Sequence, residues 1–600
     1  MKTFLPKKFT SVIFITTVLL ITLCTLSCKK SIDTQVDPFN FPPDLVTKVT
    51  SSVSGFVTDQ NNAAVGGADV KVGAANTITD QYGYFEIKNV QVVKEAATVT
   101  VSYAGYFKGI KTYIATEGKA AFFRIKLLPK TNAGNINAGT GGSVSLTNGL
   151  NISLPANAVK NVATGSAYAG TVNVAAQWID PTSEELNNIM PGDLRGINSD
   201  GDIKALTSYG MMAVELTGSS GELLQVADGK KSVISFPIPA SISGSAPATI
   251  LLWYFDEANG LWKEEGVATK TGNSYVGEVS HFSFWNCDVP NTYVHFDCNL
   301  VNASGGPMPF TDVKITNLAT GTMRWGYTDN FGYVGGAVPD NANLLLEVYD
   351  YWGCSSAIYS QNFSTTNTNI SLGTITVNAA SSTAVVNGTV TNCSNAPITN
   401  GYLMVYQNGW YSRYQVTNTG TFAFNTYLCN GNPTAATLVA EDITSSQQSS
   451  PMNITLTAGP VAVGNIQACG ISNTQFITYT YGGIAPVEFS SLNIGDTLTY
   501  TNGIPMTSRI GGFRIATGDL MNVEFTNTGI AVGSAQNVTD FYSSHIGQTS
   551  IPTPFSVNIT EYGDVGQFIA GNFTGTVMVT VSSGTYPKNI VCSFRVRRSF

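Results

Sequence analysis

The chain has 600 residues, of which 12% are charged, with a net charge of −8 and 59 glycines. That length exceeds one domain and points to about four or five. The mild, scattered negative charge excludes a basic stripe for nucleic acid. Abundant Tyr, Thr, Val and Asn, without sustained helical periodicity, point to strands joined by tight turns.

The N-terminus reads as a targeting segment. Lys2, Lys7 and Lys8 precede an uncharged, largely apolar run from Phe9 to Leu26, and then come Ser27, Cys28, Lys29 and Lys30. The run is short for a membrane span, and small Ser27 before Cys28 is a processing signal. The stretch "TLSCKK" resembles a bacterial lipoprotein lipobox of the looser Bacteroidota type, with Leu26 at −2 where the commoner pattern has Leu at −3. The resemblance implies a signal peptide over 1–27, a lipidated Cys28 and an outer-membrane lipoprotein on the cell surface or the periplasmic face. A plain signal peptide or an uncleaved anchor is the alternative. Residues 28–50 carry three prolines and read as a flexible tether.

Three later stretches repeat one pattern. The first is "SGFVTDQNNAAVGGADVKV" with "TDQYGYFEI", starting at Ser54. The second is "FDCNLVNASGGPMPFTDVKI" with "TDNFGYVGG", starting at Phe296. The third is "VNGTVTNCSNAPITNGYLMVY" with "TNTGTFAF", starting at Val386. Each gives strand, polar turn, alternating strand, and a Thr-Asp or Thr-Asn turn ending in Gly. The Asp or Asn bonds its own backbone, and Gly takes a positive φ. The first copy, residues 51–129, resembles the carboxypeptidase regulatory-like domain. That implies a small transthyretin-like β-sandwich acting as an accessory module. The same module stands at the N-termini of SusC-type receptors, so a role as accessory lipoprotein of a SusC-type uptake system is one alternative. The other copies, 291–378 and 379–472, read as related sandwiches.

Residues 130–290 differ. The order "GGSVSLTNGLNISLPANAV", "ISFPIPASI", "LLWYFDEANGLWKEEG", "GEVSHFSFWN" resembles the β-sandwich of netrin receptors, ankyrins and extracellular proteins such as cartilage intermediate layer protein. Relatives of that sandwich cut themselves within His-Phe-Ser, between Phe and Ser. Here the resemblance places the motif at His281, Phe282 and Ser283, with Ser283 attacking the Phe282 carbonyl and His281 as base. In a regular strand His281 and Ser283 share a face roughly 6–7 Å apart. Cleavage therefore requires a kinked backbone. The competing reading is an undistorted strand, Phe282 and Phe284 facing one way, His281, Ser283 and Trp285 the other.

Trp410, Tyr411 and Tyr414 follow an Asn-Gly turn, and Trp325, Tyr327, Tyr349, Tyr351 and Trp352 lie in similar positions. Aromatic faces near strand ends can stack on sugars. The alternative is cross-strand packing. Residues 473–600 form a C-terminal β-rich section whose Arg595, Arg597 and Arg598 read as a solvated tail.

Cys287, Cys298, Cys354, Cys393, Cys429, Cys469 and Cys592 all fall in the second half. Export permits disulfides, and the odd count leaves at least one thiol without a partner in the chain. No zinc-peptidase, nucleophile-elbow or Walker motif occurs, and His295 and Cys298 of "HFDC" point to opposite faces of a strand. These readings converge on an all-β chain of about five tandem β-sandwich modules in a row, transthyretin-like or Ig-like. They imply a lipid-anchored binding or structural protein, adhesive or glycan-binding, with a glycan or envelope protein as partner. No cofactor, metal or nucleic acid is expected. An enzyme with an unrecognised site remains a further alternative.

Overall fold

The computed structural model describes residues 42–349, 356–378, 383–482, 486–490, 496–503, 507–514, 517–563, 568–581 and 584–598. Cys28, Tyr351, Trp352 and Cys354 lie outside them. The all-β expectation holds. Among the described residues, helix is confined to Leu186–Ile189 and a 3-10 turn at Cys429–Gly431.

The three repeats share one topology. In each, the first strand lies between the fourth and a late strand, the seventh in the first two copies and the eighth in the third. The facing sheet runs third, second, fifth, sixth in the first two, and in the third copy the fifth pairs both the sixth and the seventh. The first strand is antiparallel to the fourth and parallel to that late strand in all three: Lys48–Thr58 with Ala120–Lys126, Tyr293–Asn302 with Ile370–Val377, and Thr383–Thr391 with Gly459–Gln467.

The Thr-Asp turn explains why the pattern recurs. Asp80 Oδ1 accepts from the Tyr82 and Tyr84 amides, and Asp329 Oδ1 accepts from those of Phe331 and Tyr333. The preceding threonine crosses the sandwich. Thr79 Oγ1 donates to Val65 O and accepts from Ala68 N, and Thr328 Oγ1 does the same with Met308 O and Thr311 N. Gly83 and Gly332 then sit at φ 74° and 80°, where a Cβ would stand 2.2 and 2.3 Å from the Val57 and Leu300 carbonyl oxygens. Only glycine fits there.

Between the first two repeats lies a 13-stranded assembly, from Asn132–Asn137 to Phe284–Asn291, crossed by the long strand Ile203–Thr217. Trp285, Leu252, Met212 and Ile234 fill one of its cores, and Trp253, Trp262 and Met211 fill another. A final ten-stranded sheet runs from Phe476–Tyr481 to Gly584–Arg597.

These five bodies are called here the first to the fifth module. They do not stand in a row. Phe107 and Ile110 of the first module belong to the second core of the second module. Phe56, Tyr82 and Phe122 of the first cluster with Tyr402, Met404 and Val439 of the fourth. Ala96 of the first meets Ile203 and Leu261 of the second and Tyr293 of the third. The modules are tandem in sequence yet pack against one another, because residues facing away from one sandwich are themselves apolar, and the neighbouring modules cover them.

Cys393 and Cys469 form a disulfide just beyond the parallel pair Thr391 and Gln467. Cys429 is also disulfide-bonded, whereas Cys287, Cys298 and Cys592 are buried free thiols. The Cys393–Cys469 bridge closes a loop with a sequence separation of 76. Replacing both cysteines by serine should destabilise the fourth module by about 4 kcal/mol on chain-entropy grounds, read as a lower urea midpoint for that module. An unchanged midpoint would contradict this.

Candidate functional site: the outer face of the first module

The strand Ala120–Lys126 has two faces. Ile125 and Phe123 turn into the first module's own core. Phe122, Arg124 and Lys126 turn outward, as the two-residue strand period dictates, yet all three are buried. Each is covered by another module.

Phe122 packs on Phe310 of the third module with ring centres 4.4 Å apart, and meets Tyr327 edge-on at 5.8 Å. The Arg124 guanidinium lies over four rings: Phe56 and Phe122 at 5.6 Å, Tyr327 at 5.9 Å and Trp410 at 4.8 Å. Its Nη1 donates to Tyr411 O at 3.4 Å. Lys126 Nζ donates to Glu185 Oε1 of the second module at 2.6 Å. One strand face thus engages the second, third and fourth modules.

Nearby contacts extend it. Gln81 Nε2 donates to Gln448 Oε1 at 2.9 Å. Arg413 of the fourth module lies 3.8 Å over Tyr402 and 4.4 Å over Tyr84, with Glu86 at 3.5 Å. Lys111 Nζ donates to the Asn187 and Met190 carbonyls around the short helix Leu186–Ile189, and burial pulls its pKa down to about 7. Asp312 of the third module is buried, which pushes its carboxyl up to about 7 against the pull of Arg124.

The rings singled out as a sugar platform lie in this junction. Trp410 is 5% exposed beneath Arg124. Tyr411 is wedged between Tyr82 at 4.9 Å and Tyr406 at 4.7 Å. Tyr414 stacks on Phe424 at 4.0 Å. Trp410 offers no open face for stacking, and the cross-strand and cross-module packing reading describes these three positions. Trp325 likewise packs on Tyr349 at 5.1 Å.

The His-Phe-Ser segment is neither a regular strand nor an assembled catalytic pair. One strand ends at Val279 and the next begins at Phe284, with bends at His281 and Ser283. Phe282 and Trp285 both enter the same core, which breaks the expected alternation. Gln225, which the sequence did not single out, holds both polar groups of Phe282. Its Nε2 donates to Phe282 O at 3.0 Å, and its Oε1 accepts from Phe282 N at 2.6 Å. Ser283 Oγ donates to Phe284 O at 3.0 Å. The His281 ring meets Tyr254 edge-on at 4.7 Å and lies 3.7 Å from Glu265. Burial holds its pKa below the usual value, partly offset by Glu265. No hydrogen bond joins His281 to Ser283, so the base and nucleophile are not brought together.

His295 stacks on Tyr293 at 5.9 Å, and burial lowers its pKa to about 4. Among the described residues no group of three His, Cys, Asp or Glu side chains could hold a metal ion. Arg595 is not a solvated residue. It bonds Glu561 and the Ser472 and Thr474 carbonyls, and lies 3.6 Å over Phe568.

Residues 52–127 match the family model of the carboxypeptidase regulatory-like domain. Cartilage intermediate layer protein 2 of Homo sapiens is 34% identical over 151 residues, 23% of this chain and 13% of that protein. Cartilage intermediate layer protein 1 of Sus scrofa is 32% identical over 103 residues, 17% of each. The chain therefore spans less than a fifth of these curated relatives. The shaft pilin SpaA from Lactobacillus rhamnosus GG aligns over 30% of this chain and 99% of its own at 10% identity, with a TM-score of 0.18, a likeness too slight to carry an argument.

Arg124→Ala should cost about 2–4 kcal/mol, since it removes several desolvated cation–ring contacts and the packed stem. It should also enlarge the radius of gyration in small-angle scattering, whereas a compact, equally stable variant would refute the bridging role. Purified wild-type chain should stay a single band on a denaturing gel after long incubation. Two fragments split near the middle, abolished by Ser283→Ala, would show that the segment rearranges and cuts.

Proposed function

We propose that this chain is a non-enzymatic lipoprotein of the outer membrane, anchored through Cys28, that presents a compact head of β-modules for structural or adhesive binding at the cell surface. The observation that carries this reading is the outward face of Phe122, Arg124 and Lys126, which three other modules cover. That arrangement builds one rigid composite body, as a display scaffold requires, from an accessory-type first module. Its partner is a glycan or an envelope protein that docks on surfaces other than Trp410, whose ring is enclosed. The disulfide at Cys393–Cys469 supports an oxidising, exported location.

Labelled palmitate should enter the wild-type chain but not Cys28→Ala, and the variant should leave the membrane fraction or persist as a precursor. External protease should degrade the wild-type chain on intact cells. Label in Cys28→Ala would remove the anchor from this reading, and full protection from protease would remove surface display.

A further inference from the structure

A hollow of ≈ 950 Å³ lies where the connection from the second module, residues 290–292, meets one end of the third module. Its size falls within the range of small-molecule sites, which favour junctions between domains. Strand alternation builds its wall. Leu344 and Phe363 turn into the third module's core. Their neighbours Asn343, Asn362 and Ser364 therefore face outward, with Asn343 paired directly opposite Ser364. Leu318 N donates to Asn343 O at 3.0 Å, which brings Asn317 and Leu318 to the same wall, and Asp340 and Asn341 complete it.

The asparagines open onto water. Asn341, Asn343 and Asn362 are exposed, and Asn317 is half-buried. Three of them are held by one end. Asn317 Oδ1 accepts from the Ala319 amide at 2.9 Å, and Asn343 Oδ1 accepts from Ser364 Oγ at 2.7 Å. Asn341 Nδ2 donates to Asp340 Oδ2 at 2.8 Å. Among the described residues nothing bonds the Nδ2 groups of Asn317 and Asn343, the Oδ1 of Asn341 or either end of Asn362. The bond at the far end orients each of the three amides in advance, which lowers the entropy lost on binding. The single carboxylate is already satisfied, because Thr292 Oγ1 donates to Asp340 Oδ1 and Asn341 to its Oδ2. No other charged residue among those described lines the hollow. Leu318, 50% exposed, adds an apolar patch beside the amides.

From this we infer that the hollow binds a neutral oligosaccharide. The inference rests on the glycan form of the function proposed above and gives the glycan a place. A sugar hydroxyl both donates and accepts, as the donors of Asn317 and Asn343 and the acceptor of Asn341 require. The C–H face of a sugar ring covers Leu318 and takes its surface out of water. An anionic glycan finds no cation here and is repelled by Asp340.

Asn362 makes a clean test, since its side chain bonds nothing in the described protein and its loss leaves the fold intact. The probes are cellohexaose, xylohexaose, mannohexaose and maltohexaose, with heparin as the anionic counterpart. Each is titrated by calorimetry into the full chain in a sugar-free detergent. We expect saturable one-to-one binding of at least one neutral hexaose and none of heparin. Asn362→Ala should weaken that binding about fivefold, the loss of one neutral hydrogen bond. Adding Asn343→Ala should bring the loss to about twentyfold at unchanged Tm. Wild-type affinity in the folded double variant overturns this site while leaving glycan binding elsewhere on the chain standing. Failure of every neutral probe overturns the site and the glycan reading together, and heparin binding tighter than any neutral probe overturns the neutral specificity. Should the double variant lower the Tm, Asn362→Ala decides alone, and wild-type affinity there overturns the site.

Discussion

The Arg124 guanidinium cannot be left bare where it lies. Moving a cation out of water costs several kcal/mol after relaxation. Each aromatic face over which it sits returns up to about 2 kcal/mol when desolvated. Four such rings surround it, two from its own module and one each from the third and fourth. The residue is therefore stable only when all three modules are docked. A lysine would not serve equally, because the planar guanidinium stacks on rings and is more weakly hydrated than an ammonium.

The remaining contacts of the first module depend on that docking. Phe107 and Ile110 complete a core of the second module, and Thr112 Oγ1 donates to Gly260 O at 2.5 Å. Lys111 is buried against two neutral carbonyls, with no anion to offset its desolvation, which is why its pKa falls. Such a group is tolerable only inside a well-packed boundary. A sandwich that elsewhere could stand alone has become the hub because one of its outward strand faces is built for contact rather than for water.

The local physics of the fold was legible in the sequence. The Thr-Asp turns, their glycines and the two-residue alternation act within short stretches of chain, and they give the all-β class and the common pattern of the three repeats. The junction was not legible. In "AAFFRIK", Ala120 to Lys126, the period assigns Phe122, Arg124 and Lys126 to one face but does not say what lies over it. The apolar content of both faces was the available signal. Trp410 and Tyr411 looked like a wet platform, and Arg595 like a solvated tail, because their partners sit far away in sequence. Gln225 was hidden for the same reason, since it grips Phe282 from 57 residues away.

The module boundaries also share an electrostatic design. Asp80 in the first module is opposed by Arg597 of the fifth, Asp312 in the third by Arg124 of the first, and Asp288 in the second by Arg324 of the third. Asp288 and Asp312 are buried and Asp80 is half-buried, and in each desolvation outweighs the arginine, so the carboxyl pKa rises: to about 6 for Asp80, to about 7 for Asp312 and well above the usual range for Asp288. The sign of the linkage follows. A carboxyl whose pKa is higher in the folded state binds protons that the unfolded chain has released, so folding weakens as pH rises from the unfolded value of about 4 to the folded one. Between those limits a neutral acid packs without a desolvation penalty. Above them the ionised acid is held partly by its own module, through the Tyr82 and Tyr84 amides for Asp80 and through Ser208 and Asn286 for Asp288. It is held partly by an arginine from the neighbouring module, so at higher pH the arginine contacts across the boundaries count for more.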